Sequence, residues 1–172
     1  MSVLPSLPTD ADLSLARDPG ARIIVSCERA KEWLAIALAG DDMERISEIK
    51  SQAEAIRVYT IQMQLGKDAV LAASEIVRRA ERCIGLAIRK GQAEGRIAKR
   101  GDIGGAQVKG TRGAKTGSIR GGDLERASRF LTTPNELTDA YAMADNVSEE
   151  AFEAAIKEAK EEGNLSRANV VR

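Results

Sequence analysis

Residues 46–88 read ISEIKSQAEAIRVYTIQMQLGKDAVLAASEIVRRAERCIGLAI, and their apolar residues recur at alternating steps of three and four. This period places the apolar side chains on one side of an α-helix, and Gly66 interrupts it. We therefore predict two long helices that fold back on each other as an antiparallel, coiled-coil-like hairpin.

The apolar seam of this predicted hairpin is rich in alanine, so each residue buries little area. At about 25 cal/mol per Å² of apolar surface, a hairpin alone would be weakly stable. A third helix around Trp33 would complete a three-helix bundle within one chain. The alternative is a homo-oligomer, and its interface is predicted at Ile49, Ala53 and Ile56 or on the back of the same helix.

The composition predicts an all-α protein, because 43% of the 172 residues are hydrophobic but only 3% are aromatic. Four segments follow from the patterning. Residues 1–25 hold three of the four prolines and predict an extended or disordered arm. Residues 26–98 predict the helical bundle, with Ser26 as the cap of its first helix. Residues 99–122 predict a linker, and residues 123–172 predict a small helical unit.

The predicted linker is basic and rich in glycine. Residues 89–122 contain nine Lys or Arg, two acidic residues and ten glycines. Such a segment cannot bury enough apolar surface to order itself, but it can neutralise phosphates without sequence preference. The alternative is a soluble spacer. The candidate phosphate contacts are Arg96, Lys99, Arg100, Lys109, Arg112, Lys115 and Arg120.

The last unit carries clear helix boundary signals. Thr133, Pro134 and Glu136 combine a cap, a proline in the first turn and a capping box. Ser148 predicts the start of the next helix, and Gly163 predicts its end. LERASRFL, residues 124–131, predicts a further short amphipathic helix.

The chain ends with a pattern that resembles a helix-turn-helix. Ala159, Gly163, Leu165 and Val170 supply the small residue, the turn glycine and the two apolar anchors of that motif. If the second helix enters a DNA groove, the reading residues are Ser166, Arg167, Asn169 and Arg172. Residues 134–172 hold nine acids against four bases, which argues for the alternative, a short helix that closes a small bundle.

Several classes of function are disfavoured by what the sequence lacks. There is no histidine, Cys27 and Cys83 stand far apart, and the carboxylates show no metal-ligand spacing, so we expect no metal, no cofactor and no enzyme. No stretch approaches the ~18 apolar residues of a membrane span. We therefore expect a cytoplasmic protein without membrane contact.

Three strings carry a family resemblance: QAEAIRVY (52–59), RAERCIG (79–85) and EEAFE (149–153). Together with the basic glycine-rich segment, they resemble a family of small helical proteins of actinobacterial phages, prophages and mobile elements. The members are mostly uncharacterised and are sometimes described as DNA-binding. The resemblance implies a non-enzymatic accessory or regulatory protein that binds DNA. The alternative is a protein interaction and oligomerisation module without nucleic-acid binding.

Overall fold

The computed structural model describes residues 18–98, 127–131 and 133–170, and within these ranges it is helical and has no strand. The prediction of an all-α fold is confirmed. Residues 1–17 of the predicted arm and the whole predicted linker, residues 99–122, lie outside the described residues. The elements are α1 (Pro19–Ala39), α2 (Met43–Gln62), α3 (Lys67–Ala93), a 3-10 turn (Ala127–Arg129), α4 (Pro134–Asp145), α5 (Glu149–Glu162) and α6 (Arg167–Val170).

Helix α1 begins at Pro19 and not, as predicted, after Ser26. Asp18 caps it, because its carboxylate accepts a hydrogen bond from the Ala21 N–H at 2.9 Å, and Pro19 has the fixed φ that suits a first turn. Ser26 lies inside the helix, where its hydroxyl donates to the Arg22 carbonyl. Residues 19–25 of the predicted arm are therefore helical.

Helix α2 begins at Met43 and is capped by Asp42. The Asp42 carboxylate accepts from the Arg45 N–H at 2.9 Å. Asp41 instead has a left-handed φ of 58° and forms part of the turn after α1. Four residues, 63–66, then connect α2 to α3.

Helix α3 is the central element, since α1, α2 and α4 all pack against it. Its residues Ala73, Ile76, Ala80 and Ile84 are at most 1% exposed, and the main core forms around them. A central helix surrounded by neighbours is usually apolar on all sides. In α3 the sides away from the seam bury charged residues, which are described with the candidate site below.

The C-terminal end of α3 is ordered beyond Arg89, where the sequence predicted fraying. Ile97 folds back against Gly91, where an added Cβ would lie 2.7 Å from the Ile97 Cδ1 atom. The Gln92 amide donates to the Ala98 carbonyl at 3.2 Å and to the Tyr141 hydroxyl at 3.1 Å. These contacts fix the chain up to Ala98.

Helix α4 crosses α3 at a close approach. A Cβ atom at Gly85 would overlap the Ala140 carbonyl, so only glycine permits this spacing. The predicted capping box at Thr133 and Glu136 is confirmed, since each side chain accepts from the other residue's N–H. The segment predicted as a helix at 124–131 contains only the 3-10 turn within its described residues, followed by buried Phe130 and Leu131.

Helix α5 runs in the opposite direction to α3. Ion pairs connect Arg82 to Glu149 near the start of α5 and Glu75 to Lys160 near its end. The predicted start at Ser148 and end at Gly163 are both confirmed. A second core cluster lies beneath α5 and comprises Leu71, Met143, Phe152, Ile156, Ala159, Leu165 and Val170.

Both chain ends that flank residues 99–126 belong to the main core. Ile97 is 1% exposed on one side of the gap, and Ala127, Phe130 and Leu131 are buried on the other. The described residues before and after the gap therefore belong to one and the same helical body.

Candidate functional site

Most of the predicted phosphate contacts lie outside the described residues. These are Lys99, Arg100, Lys109, Arg112, Lys115 and Arg120, together with Arg172 at the chain end. Arg96 is described, and its guanidinium donates to the carboxylates of Glu94 and Asp41. These two acids already neutralise its charge.

The helix-turn-helix-like end packs as its residue types suggested. Helix α5 ends at Gly163, which has a left-handed φ of 73°, and Leu165 and Val170 are buried against Ala159 in the second core cluster. The second helix, α6, has only four residues within the described chain. It forms a single turn that closes the small unit.

Arg167, the first predicted base reader of α6, is held inside the protein's own structure. Its NH2 donates to Glu81 Oε1 at 2.6 Å and to Glu136 Oε1 at 2.8 Å. Its Nε lies 3.7 Å from Asp139 Oδ2. The hydrogen bond to Glu81 raises the pKa of Arg167, so the side chain remains a cation that is shared between carboxylates.

Of the other two described tail residues, Asn169 stands beside acidic side chains and Ser166 is exposed. The Asn169 amide donates to the Asn164 carbonyl at 3.1 Å, and a shallow pocket of about 100 Å³ brings Asn169 next to Glu158 and Glu162. Ser166 is exposed, and its N–H donates to the Asn164 side chain. Carboxylates in these positions repel a phosphate backbone.

Helix α3 carries two buried carboxylates that tie the C-terminal unit to the body. Glu75 is 2% exposed and accepts hydrogen bonds from Lys160 at 2.7 Å and Arg79 at 2.8 Å. Lys31 of α1 lies 2.9 Å from the same carboxylate. Burial by itself raises the pKa of Glu75, but these three cations outweigh burial and lower it to about 2.

The second buried carboxylate is Glu81, which is fully buried between Arg78 and Arg167. Arg79 extends the network to Glu153, and Arg82 extends it to Glu149 on α5. Every one of these acids has a cationic partner, so the network links α3 to α1, α5 and α6 through ion pairs. The sequence shows the local part of this pattern as opposite charges three or four residues apart in EIVRRAER, residues 75–82.

A groove of about 250 Å³ lies between α1 and α2. Its floor is apolar and consists of Cys27, Ala30, Ile49, Ala53, Ile56 and Ile76, and its rim consists of Ser26, Arg29, Trp33, Arg45 and Gln52. The Arg45 guanidinium lies 5.7 Å from the centre of the Trp33 ring, and both side chains line the groove. The sequence analysis assigned Trp33 to a core stripe and did not identify this groove.

The groove contains the residues that were predicted as an oligomer interface. Ile49 and Ala53 are 6% and 3% exposed and already pack within the chain's own core, whereas Ile56 is half-buried. Further along α2, Val58, Tyr59, Ile61 and Met63 are 41–55% exposed. The apolar surface available to a partner therefore extends from Ile56 towards the end of α2.

Both cysteines are poor nucleophiles in this structure. Burial raises the pKa of Cys27 to about 11 and also raises that of Cys83 to about 11, so both are protonated thiols at neutral pH. No group of three or more metal-binding side chains occurs in the part of the chain that the structure describes. Nor does any helix of that part combine the length and the apolarity needed to cross a membrane.

Comparison with known proteins returned no matching family model, no matching curated protein and no matching solved structure.

Proposed function

We propose that the protein is a non-enzymatic, nucleic-acid-associated accessory protein that contacts the phosphate backbone through residues 99–122. One observation carries this proposal: these residues contain six Lys or Arg and one acid, a net charge of +5 in a chain of net charge zero. The rest of the chain is therefore at −5. A polyanion would be attracted to this segment and repelled elsewhere.

The anchoring of both ends of the segment supports this role. Ile97 before the gap and Ala127 after it are both buried in the main core, so the chain on either side of the basic segment is attached to one helical body. A segment attached at both ends loses less conformational entropy on binding than a free tail of equal charge. Helices α1 to α3 act in this proposal as the scaffold.

Charge pairing within the body indicates where contact does not occur. Arg167 is shared between Glu81 and Glu136, Arg96 pairs with Asp41, and Arg89 pairs with Asp145. A phosphate would have to displace a carboxylate from each of them. We therefore propose that the protein binds the phosphate backbone of a nucleic acid with little sequence preference. We place this binding in the cytoplasm, as suits the phage or mobile-element setting that the sequence resemblance implies.

The salt dependence of binding to a random-sequence DNA duplex tests this proposal. Replacing Lys109 and Arg112 by glutamine should reduce the slope of log K against log salt by about 1.8, because each lost phosphate contact contributes about 0.9. Fluorescence anisotropy of a labelled duplex at several salt concentrations measures the slope.

The matched control replaces two exposed basic residues of the helical body, Arg22 and Lys157, by glutamine. It removes the same charge and should leave the slope nearly unchanged. Equal effects of both double variants, or no binding by the unmodified protein, would contradict the proposal. A loss confined to Arg167→Ala on one preferred site would instead indicate base reading by the tail.

The apolar groove between α1 and α2 favours a second candidate function, a protein interaction module. The groove is open, and the half-exposed Tyr59 and Met63 lie on the continuation of one of its walls. Contiguous exposed apolar surface on a small protein commonly marks an interaction site.

A further inference from the structure

Helix α2 and its C-cap residue Met63 carry a stripe of four apolar and two polar side chains on the side that faces the groove. Its members are Arg45, Ile49, Gln52, Ile56, Tyr59 and Met63, spaced by alternating steps of four and three. This spacing keeps side chains on one face over the whole helix. The first four members line the groove, and the last two are 50% and 55% exposed.

The same face thus combines a hollow and a projection. The hollow is the groove around Ile49 and Ile56, which Trp33 also lines. The projection is formed by Tyr59 and Met63, one to two helical turns beyond the groove floor. In an isologous dimer the same face of both copies meets about a two-fold axis, so the projection of one copy can enter the hollow of the other.

We infer that a second copy of this chain docks on the α1–α2 face as an isologous dimer. The two-fold axis passes close to Ile56, so that α2 of one copy lies antiparallel to α2 of the other. Tyr59 and Met63 of each copy then enter the groove of the other copy beside Trp33 and Gln52. The arrangement is independent of the nucleic-acid proposal.

The size of this face suits a dimer of moderate affinity. Helix α2 has 20 residues, or about 30 Å at ~1.5 Å per residue, and two adjacent helices are about 20 Å wide. The footprint is therefore about 600 Å² per copy, compared with ~800 Å² for a standard stable interface. We expect dissociation in the micromolar range.

The mass of the full chain measured by light scattering after gel filtration tests the inference. The unmodified protein should approach twice its 18.5 kDa as its concentration rises. The double variant Y59E/M63E should stay monomeric, because moving two carboxylates from water onto the apolar floor of the groove is strongly unfavourable. Both positions are half-exposed, so the charge is tolerated in the monomer.

The control variant is V58E/I61E. Val58 and Ile61 are also 41% and 50% exposed but lie off the stripe, so this variant should dimerise like the unmodified protein. The milder Y59S/M63S variant should weaken dimerisation at least tenfold with an unchanged circular dichroism spectrum, which separates loss of the interface from unfolding.

The fluorescence of Trp33 gives an independent readout, because it is the only tryptophan. Its emission should shift to shorter wavelength with rising protein concentration, and Y59E/M63E should abolish the shift. A mass of one chain at high concentration, or a mass that grows beyond two copies, overturns the inference. Equal loss of dimer in V58E/I61E also overturns it, and neither result bears on DNA binding by residues 99–122.

Discussion

Glu75 is a carboxylate that is almost completely buried and yet remains ionised, because it lies among three cations from three different parts of the chain. Lys31 comes from α1, Arg79 from α3 itself and Lys160 from α5. A buried charge is stabilising only when its partners stay in place. Glu75 therefore couples the docking of α1 and α5 to the ionisation of a single group.

The free energy of unfolding should consequently depend on pH through Glu75. Its pKa is about 2 in the folded chain against an ordinary value of 4.5, so its contribution is fully present above pH 4.5 and is lost as the pH falls towards 2. The difference amounts to about 3 kcal/mol. Urea unfolding of Glu75→Gln should show lower stability at neutral pH and a shallower decline between pH 4.5 and 2.

The control for this prediction is Glu158→Gln, which alters an exposed carboxylate on α5. Its pH profile should follow that of the unmodified protein. If Glu75→Gln were as stable as the unmodified protein at pH 7, the ion pairs of Glu75 with the three cations would not contribute to the free energy of unfolding.

Arg167 shows what the sequence could not reveal at this scale. The local pattern correctly placed it just after the turn that follows Gly163. Its partner Glu81 lies 86 positions earlier in the chain, and no local period reports a contact over that distance. The sequence therefore indicated where Arg167 begins α6 but not that carboxylates already surround it.

At the scale of the elements, the closest packing is the crossing of α3 and α4 at Gly85. A Cβ there would overlap the Ala140 carbonyl and lie 3.1 Å from the Ala144 Cβ. Gly85→Ala should therefore push α4 away from α3 and destabilise the fold by about 2–4 kcal/mol, although alanine is the better helix former. Thermal unfolding followed by circular dichroism measures this change.

Gly40→Ala serves as the matched comparison. Gly40 has an ordinary φ of −82°, and a Cβ there would lie 3.4 Å from the Ile36 carbonyl oxygen. This substitution should change stability by less than about 1 kcal/mol. Equal melting temperatures for the two variants would show that the crossing can widen without cost.

Helix boundaries were predictable where a cap and its partner lie within one turn. The signals at Thr133, Ser148 and Gly163 are of this kind, and the structure follows them. The start of α1 was missed because Pro19 was counted with the prolines of the arm, although an Asp–Pro pair is a strong helix start. The extent of α3 was missed because Ile97 packs onto Gly91 only after the chain turns back.

At the scale of the whole molecule, charge is separated: residues 99–122 carry a net charge of +5, and the rest of the chain carries −5. The predicted boundaries at residues 99 and 122 remain a prediction, since both lie outside the described residues. The described residues on either side nevertheless share one core. This arrangement differs physically from two independent domains on a tether, because the C-terminal unit gains its stability from α3.

Cleavage of the basic segment distinguishes these two arrangements. A site for a specific protease inserted between Gly104 and Gly105 allows the chain to be cut once, leaving α1 to α3 in one fragment and α4 to α6 in the other. We expect the fragments to remain together in gel filtration, because Phe130, Ala140 and the ion pairs of Glu75 and Glu81 connect them.

The same cut chain carrying Gly85→Ala provides the comparison. Once the chain is cut, association of the two fragments depends on their concentration. The weakened crossing of α3 and α4 should therefore let this variant separate into fragments at concentrations where the cut parent stays associated. Separation of the cut parent itself at neutral pH and moderate salt would contradict the shared core. A further outcome is that the fragments of both cut proteins stay associated in strong salt and separate in urea. That result would assign most of the association free energy to the apolar contacts, since salt screens the exposed ion pairs and strengthens apolar burial.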